Sequence, residues 1–404
     1  MSGREFAGFD VASLTEAVRQ PPFDDLRSAA RSRRRRLVAV AVTAVVAVAG
    51  VALVPLVNGP ERANPAPPGG PSPRPEHYDD FTSTGPGSGV DVHREGCLLR
   101  FFLTDDGGRS WSDGNAVRIQ ATRCQASSDP ATANLTFSVL SDRSYLVNDA
   151  GLLRLSTDYG RTWQDGEQAI TPVPSFPATA RPAFCVFGVF GCGALREPLA
   201  VDPSSGAVYR LAGRAPSWRP LFGLYPSRDG TLWASYQMRL GSSAATVARS
   251  IDRGATWNTW EVVGASAMAL VGLDDREAYL LTEQSAAGGL RLFRTTDGAK
   301  TWTDTGTDLP KDSYWDLTVG SDGSLLASSV GTGTGSDRSA RILVSRDDGR
   351  HFTLAREYGL IVGSVSIAPG SAWLFGRSDG STGEPDHIVL TTDATTWTRL
   401  TLAR

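Results

Sequence analysis

The octapeptide Ser156-Thr157-Asp158-Tyr159-Gly160-Arg161-Thr162-Trp163 constrains this chain more than any other stretch, because it returns. The pattern is hydroxyl, any, Asp, any, Gly, any, hydroxyl, Trp. It recurs at Thr104-Asp106-Gly108-Ser110-Trp111 and at Ser250-Asp252-Gly254-Thr256-Trp257. Three weaker copies follow. Thr295-Asp297-Ala299-Thr301-Trp302 has Ala for Gly, Ser345-Asp347-Gly349-His351-Phe352 ends in His-Phe, and Thr391-Asp393-Thr396-Trp397 is one residue short. In such a turn the carboxylate accepts bonds from backbone N–H groups that strand pairing leaves free, and Gly takes a conformation closed to residues with a Cβ. The Trp is expected to be buried. Six copies make this a repeat protein, and they make the Asp residues structural, not catalytic acids or calcium ligands.

The aromatics that end the copies stand at 111, 163, 257, 302, 352 and 397, so successive gaps are 52, 94, 45, 50 and 45 residues. The gap of 94 is about two periods and predicts a hidden copy. Leu211 to Trp218 lies near its middle, keeps Ser217-Trp218 and has lost the Asp, which brings the units to seven. Units also carry an earlier strand-like run, such as Arg143 to Val147, Gly206 to Arg210, Gly230 to Ala234, Ala278 to Leu281, Ser324 to Ala327 and Ala372 to Phe375, most of them after a turn rich in Asp, Gly or Ser. The first unit is the least defined, because Phe81 to Val92 is rich in Gly.

These residues resemble the Asp-box, or BNR, repeat of the sialidase-like β-propellers, over about Asp79 to Arg404. The resemblance implies an all-β fold, a seven-bladed β-propeller of four-stranded antiparallel blades, each box joining the third and fourth strands of a blade. It says less about function, since sialidases, sortilin-type receptors, xyloglucanases and a photosystem assembly factor share the box. A sialidase would need an Arg triad, a Tyr nucleophile paired with a Glu, an Asp acid/base, and an Arg-Ile/Leu-Pro motif before the first box. The stretch before Thr104 has no such motif; the nearest likeness, Arg196-Glu197-Pro198, is in the wrong unit, and Tyr236 and Arg239 read as packing and surface groups. A xyloglucanase-like cleft lies between two propellers, and this chain has repeats for one.

Ahead of the repeats, residues 37–57 are uncharged, and 21 residues match the ~20 that a helix needs to cross a bilayer. Arg31 and Arg33 to Arg36 precede this span, which places residues 1–36 in the cytoplasm and 79–404 outside. The alternative is a cleaved, twin-arginine-like signal from Ser32-Arg33-Arg34 with Ala47-Val48-Ala49 as its cleavage site. Residues 58–78 hold seven prolines and read as an extended stalk. The basic tail reads as a topology signal, or as a docking peptide through Phe6, Phe9, Val11, Leu14 and Val18.

The formal charge of -3 combines +3 on residues 1–36 with about -6 on the rest, which excludes nucleic-acid binding as the purpose of the large domain. Lys occurs only at Lys300 and Lys311, the codon bias of a GC-rich, actinobacterial genome. His77, His93, His351 and His387 are scattered, and the sequence calls for no metal or other cofactor.

Cys97, Cys124, Cys185 and Cys192 fall on the outer side, an even number that reads as two disulfides. In the blade arrangement Cys97 and Cys124 both lie near the face opposite the boxes, as do Cys185 and Cys192, so the pairing expected is 97–124 and 185–192. The connections on that face vary most, at Thr171 to Cys192, Gly331 to Arg338 and Arg377 to Asp386. Phe176, Phe184, Phe187 and Phe190 form either a covered strand of the third blade or an exposed patch, with Phe184, Phe187 and Phe190 as the binding candidates. The expected molecule is a monomeric, membrane-anchored binding module for an envelope protein or glycan, with a sialidase-like glycosidase as the alternative.

Overall fold

A computed structural model describes residues 78–403 except 86, 115, 125–133, 186–191, 193–194, 196, 239–240, 285–288, 312, 332–338, 360–366 and 379–384. No helix among the described residues is long and apolar enough to cross a membrane; residues 1–77, with the expected tail, span and stalk, lie outside them.

Strands of two to eight residues fold into seven four-stranded sheets. Six are built from consecutive strands in chain order, from β1 (Tyr78–Gly85), β2 (Ser88–Glu95), β3 (Leu98–Thr104) and β4 (Arg118–Gln120) in the first sheet to β28 (Thr398–Thr401) at the edge of the seventh. The Gly-rich first unit is an ordinary hairpin, with Phe81 paired to Asp91 and Val92 to Asp80.

Each seam between neighbouring sheets carries a hydrogen bond. Arg94 Nη1 donates to Leu135 O at 3.4 Å, Ser138 Oγ to Cys192 O at 3.2 Å, Cys185 N to Leu224 O at 3.0 Å and Trp233 Nε1 to Asp274 O at 3.0 Å. Thr305 Oγ1 donates to Gly349 O at 3.2 Å, Thr318 Oγ1 to Ala368 O at 2.8 Å, and Trp111 Nε1 to Thr401 O at 3.0 Å, which joins the first sheet to the last. The seven sheets thus follow one another in a closed sequence, the arrangement of a seven-bladed propeller. The apolar core fills the seams. Val92, Phe101, Tyr145 and Val147 lie between the first two sheets, and Phe81, Trp373, Ile388 and Leu400 between the last and the first.

The third sheet departs from the expectation. Its order is β10 (Arg181–Pro182), β11 (Leu199–Val201), β12 (Val208–Leu211) and β9 (Thr171–Val173), and β9 pairs with β12 in parallel. The outer strand therefore comes from residues before the sheet, not from the chain after Trp218, and Thr171–Val173 is strand, not loop. The turn before β12 lies at the box end, where Ser144 Oγ donates to Gly206 O at 3.0 Å, so β12 leads away from the boxes. The chain runs on into β13 (Leu221–Pro226) of the fourth sheet.

Candidate functional site

The six boxes share one hydrogen-bond set. In the first, Thr104 Oγ1 accepts from Gly108 N at 2.9 Å and donates to Asp106 Oδ1 at 3.0 Å. Asp106 then accepts from Ser110 N at 2.9 Å and from its hydroxyl at 2.6 Å. Asp158 with Thr162, Asp252 with Thr256, Asp297 with Thr301 and Asp347 with His351 repeat it. In the short copy Asp393 bonds Thr396 N at 2.7 Å, and Thr391 Oγ1 takes Ala394 N in place of the missing residue. In the five full-length boxes two residues at the bend have positive φ, as in Tyr159 (66°) and Gly160 (77°), and in the short copy only Ala394 does (59°); at Gly298 (75°) and Ala299 (67°) the glycine has moved one place earlier.

These turns are tied to the turns beside them. Gly107 N bonds Gly87 O, Tyr159 N bonds Arg143 O, Gly298 N bonds Arg276 O and Ser321 N bonds Thr392 O. The aromatics are less buried than expected. Trp111, Trp163, Trp257, Trp302 and Trp397 are half-buried, and only Phe352 is buried, because each caps the edge of a seam.

Opposite the boxes the surface is organised by charge and by one aromatic ring. In the fourth sheet, β14 (Leu232–Tyr236), β15 (Ala244–Ser250) and β16 (Asn258–Val263) carry Tyr236, Thr246 and Glu261 in register with Leu221, at the end of the sheet away from the Ser250–Trp257 box. Cross-strand partners in register point to the same face. Arg219 reaches over them, its Nη1 donating to Thr246 Oγ1 at 2.6 Å and to Glu261 Oε2 at 2.9 Å. Thr246 in turn donates to Glu261 Oε1 at 2.8 Å, and Ser217 Oγ lies 3.2 Å from Thr246 Oγ1. The guanidinium carbon of Arg219 stands 5.1 Å from the centre of the Trp218 ring, and Trp218 is 78 % exposed. Met238 and Val263, at the same end of the sheet, are also exposed.

Across the seam, the third sheet and the end of the second supply a second ion-paired group. Arg210 Nη1 lies 3.1 Å from Glu167 Oε2 and 4.0 Å from Glu197 Oε1. Glu167 is held in the first turn of α1 (Gly166–Ala169), whose N-cap Asp165 accepts from Glu167 N at 3.0 Å. Burial pushes the Glu197 carboxyl above its ordinary range; Arg210 opposes this and Glu167 adds to it. Burial also pushes the Tyr236 phenol upward, with Glu197 contributing. The Tyr236 hydroxyl has no hydrogen-bond partner among the described residues. The seam thus carries a carboxyl raised by burial and a buried phenol, and an open indole beside a fixed ion pair.

The disulfides are Cys97–Cys124 and Cys185–Cys192, as expected. Phe176 is buried, so it belongs to the covered strand region. Phe184 is half-buried and packs edge-on against Tyr225 with ring centres 5.7 Å apart, so it is a packing group, not an exposed one. Tyr225 in turn reaches from the fourth sheet to Thr318 of the sixth at 3.2 Å. Phe187, Phe190, Arg196 and Arg239 lie outside the described residues. Tyr236 is a core residue of the seam, as its strand setting suggested. The sequence did not reveal the network of Arg210, Glu167, Glu197, Arg219, Thr246 and Glu261, whose members are far apart in the chain. Nor did it reveal Asp316 on the inner strand β21 (Ser313–Val319), a carboxyl pushed up to about 8 by burial. Asp316 keeps partial contact with solvent although protein surrounds it, as fits a group near the axis where inner strands converge. Among the described residues no group of three or more His, Cys, Asp or Glu is placed to hold a metal.

No protein-family profile matches the chain, and no characterised protein matches it in sequence. Solved structures are similar in shape. One is a puromycin-hydrolyzing peptidase of Mycobacterium tuberculosis, 17 % identical, with 82 % of this chain and 55 % of that one covered at a TM-score of 0.46. Another is the Niastella koreensis GH74 enzyme, 11 % identical, covering 81 % and 66 % at 0.38. A third is Trypanosoma rangeli sialidase, 13 % identical, covering 78 % and 51 % at 0.36. This chain spans between about half and two thirds of each of them.

Proposed function

We propose that this chain is an envelope recognition protein that binds a protein or glycan partner through the seam between its third and fourth sheets. The observation that carries this reading is Trp218, 78 % exposed above an ion pair that fixes it, at the end of a sheet whose other end is committed to box turns. A rigid ring with one end tied to itself leaves recognition to the other end. In this reading residues 37–57 anchor the propeller outside the membrane with the N-terminus in the cytoplasm, residues 58–77 hold it off the lipid, and it acts as a monomer without cofactor. The apolar span, the arginines before it and the two disulfides support that topology.

The test is capture of envelope material by the full chain and by an Arg219→Ala, Glu261→Ala double variant. Loss in the variant with unchanged melting supports the seam, and equal capture refutes it. For the anchor, release of the protein by carbonate washing would refute it.

A second reading, a glycoside hydrolase, is favoured by the Tyr236 hydroxyl, which has no hydrogen-bond partner among the described residues, at the seam that also carries Glu197. Against it, Tyr236 is only 2 % exposed, so a substrate could not reach its hydroxyl without movement of the seam. Turnover of aryl glycosides that vanishes in both Glu197→Gln and Tyr236→Phe would establish this reading over the first.

A further inference from the structure

We infer that the open face of Trp218 is a subsite for a neutral pyranose unit of an envelope polysaccharide; this rests on the recognition reading above and names its ligand. The first ground is that the ring is built into place. Arg219 covers one face, and its own position is fixed by Thr246 and Glu261, with only 14 % of the Arg219 side chain exposed. An aromatic plane backed in this way loses little freedom when something stacks on its other face.

The second ground is what surrounds the plane. A pyranose ring presents C–H groups on its faces and hydroxyls round its edge, so it calls for a flat apolar surface with hydrogen-bonding groups beside it. Glu261, 55 % exposed at its side chain, and the hydroxyl of Ser217 belong to the network that holds Arg219, the residue stacked on the indole. A buried apolar peptide anchor would call for a pocket instead of a plane flanked by charge.

Charge narrows the class further. Residues 37–404 carry about -6, given a total of -3 and +3 on residues 1–36, so an anionic polymer is repelled. A cationic ligand is also disfavoured, because Arg219 already occupies one face of the indole quadrupole. A neutral sugar meets neither penalty.

The third ground is why the ring is free. In the sequence Trp218 falls where the box aromatic of the third unit is expected, but its neighbours Ser217 and Arg219 bond Thr246 at the end of the fourth sheet away from the boxes. Since Thr171–Val173 provides the outer strand of that sheet, nothing in the fold requires Trp218 to pack inward.

The full chain, held in a polyoxyethylene detergent that carries no sugar, would be titrated with cellohexaose, mannohexaose and a galactose hexamer, with oligogalacturonate as the anionic control. Indole fluorescence and saturation-transfer NMR are the readouts. At least one neutral hexamer should bind, about tenfold more weakly to Trp218→Ala, with Trp218→Phe between and all melting temperatures equal. Absence of binding by all three neutral hexamers, equal binding by Trp218→Ala, or equal or tighter binding of oligogalacturonate would overturn the inference. If Trp218→Ala still captures envelope material in the assay above, the sugar subsite falls and seam recognition stands. If the wild type captures none, both fall.

Discussion

Gly108 and Thr401, 293 positions apart in the chain, are in contact: a Cβ on Gly108 would come within 2.7 Å of the Thr401 carbonyl oxygen. The same oxygen accepts the Trp111 indole N–H. A box turn of the first sheet is thereby seated on the outer strand of the last.

Gly108→Ala should therefore cost about 2 kcal/mol or more, combining a left-handed φ of 79° with a clash against backbone. Its neighbour Gly107 has φ 77° and nothing within 4 Å of where a methyl would sit, so Gly107→Ala should cost only about 1 kcal/mol. Denaturant unfolding of both variants separates the contact from the conformation. Equal losses would mean that the seat on Thr401 contributes nothing.

Asp316 predicts a stability that falls as pH rises. Its folded carboxyl titrates near 8, above the ordinary value of 3.8, so the fold favours the neutral form. That advantage is complete below about pH 4 and is lost on the way to pH 8. Asp316→Asn should melt like the wild type at pH 4 and be more stable by on the order of 1–3 kcal/mol at pH 8, a figure reduced for the partial solvent contact of the group. Thermal melts across that range would show two parallel curves if Asp316 were not responsible.

The boxes predict the opposite slope at lower pH. The Ser110 hydroxyl bonded to Asp106, and the Thr301 hydroxyl bonded to Asp297, hold both carboxyls down to about 2. Their contribution is present above the ordinary carboxylate value and is lost as pH falls from about 4 to 2. Asp106→Asn and Asp297→Asn should each flatten the acid limb of a melting-temperature profile. A limb as steep as in the wild type would place the acid sensitivity elsewhere.

Removing the disulfides should rank them by loop length. The Cys97–Cys124 bridge spans 27 residues and Cys185–Cys192 spans 7, for which chain entropy gives about 3–4 and about 2 kcal/mol. Paired Cys→Ser variants in urea test the order. A larger loss at the short bridge would mean that it acts on the native state, where Cys185 bonds Leu224 across the seam.

The boxes were legible because their chemistry is contained within eight consecutive residues, and the spacing of their aromatics carried the number of sheets. Leu211 to Trp218 shows where that legibility stops. The interval located a unit there, but only three-dimensional pairing reveals that Val173 lies beside Leu211 and that the chain after Trp218 belongs to the next sheet. The seam was less legible still. Glu167 and Arg210 are 43 residues apart, and Arg219 and Glu261 are 42 apart, and no local pattern links the members of either pair. Asp316 looked like any polar residue of a strand, because nothing in its local sequence signals its burial.

The parallel pairing of Thr171–Val173 with Tyr209–Leu211 also bears on how the molecule is made. During synthesis the rim of the third sheet leaves the ribosome before its hub, and it has no partner until the chain has extended through Leu211. The outer strand of the third sheet is thus held by a segment made about 40 residues later, the one sheet whose rim cannot close as its own last strand emerges.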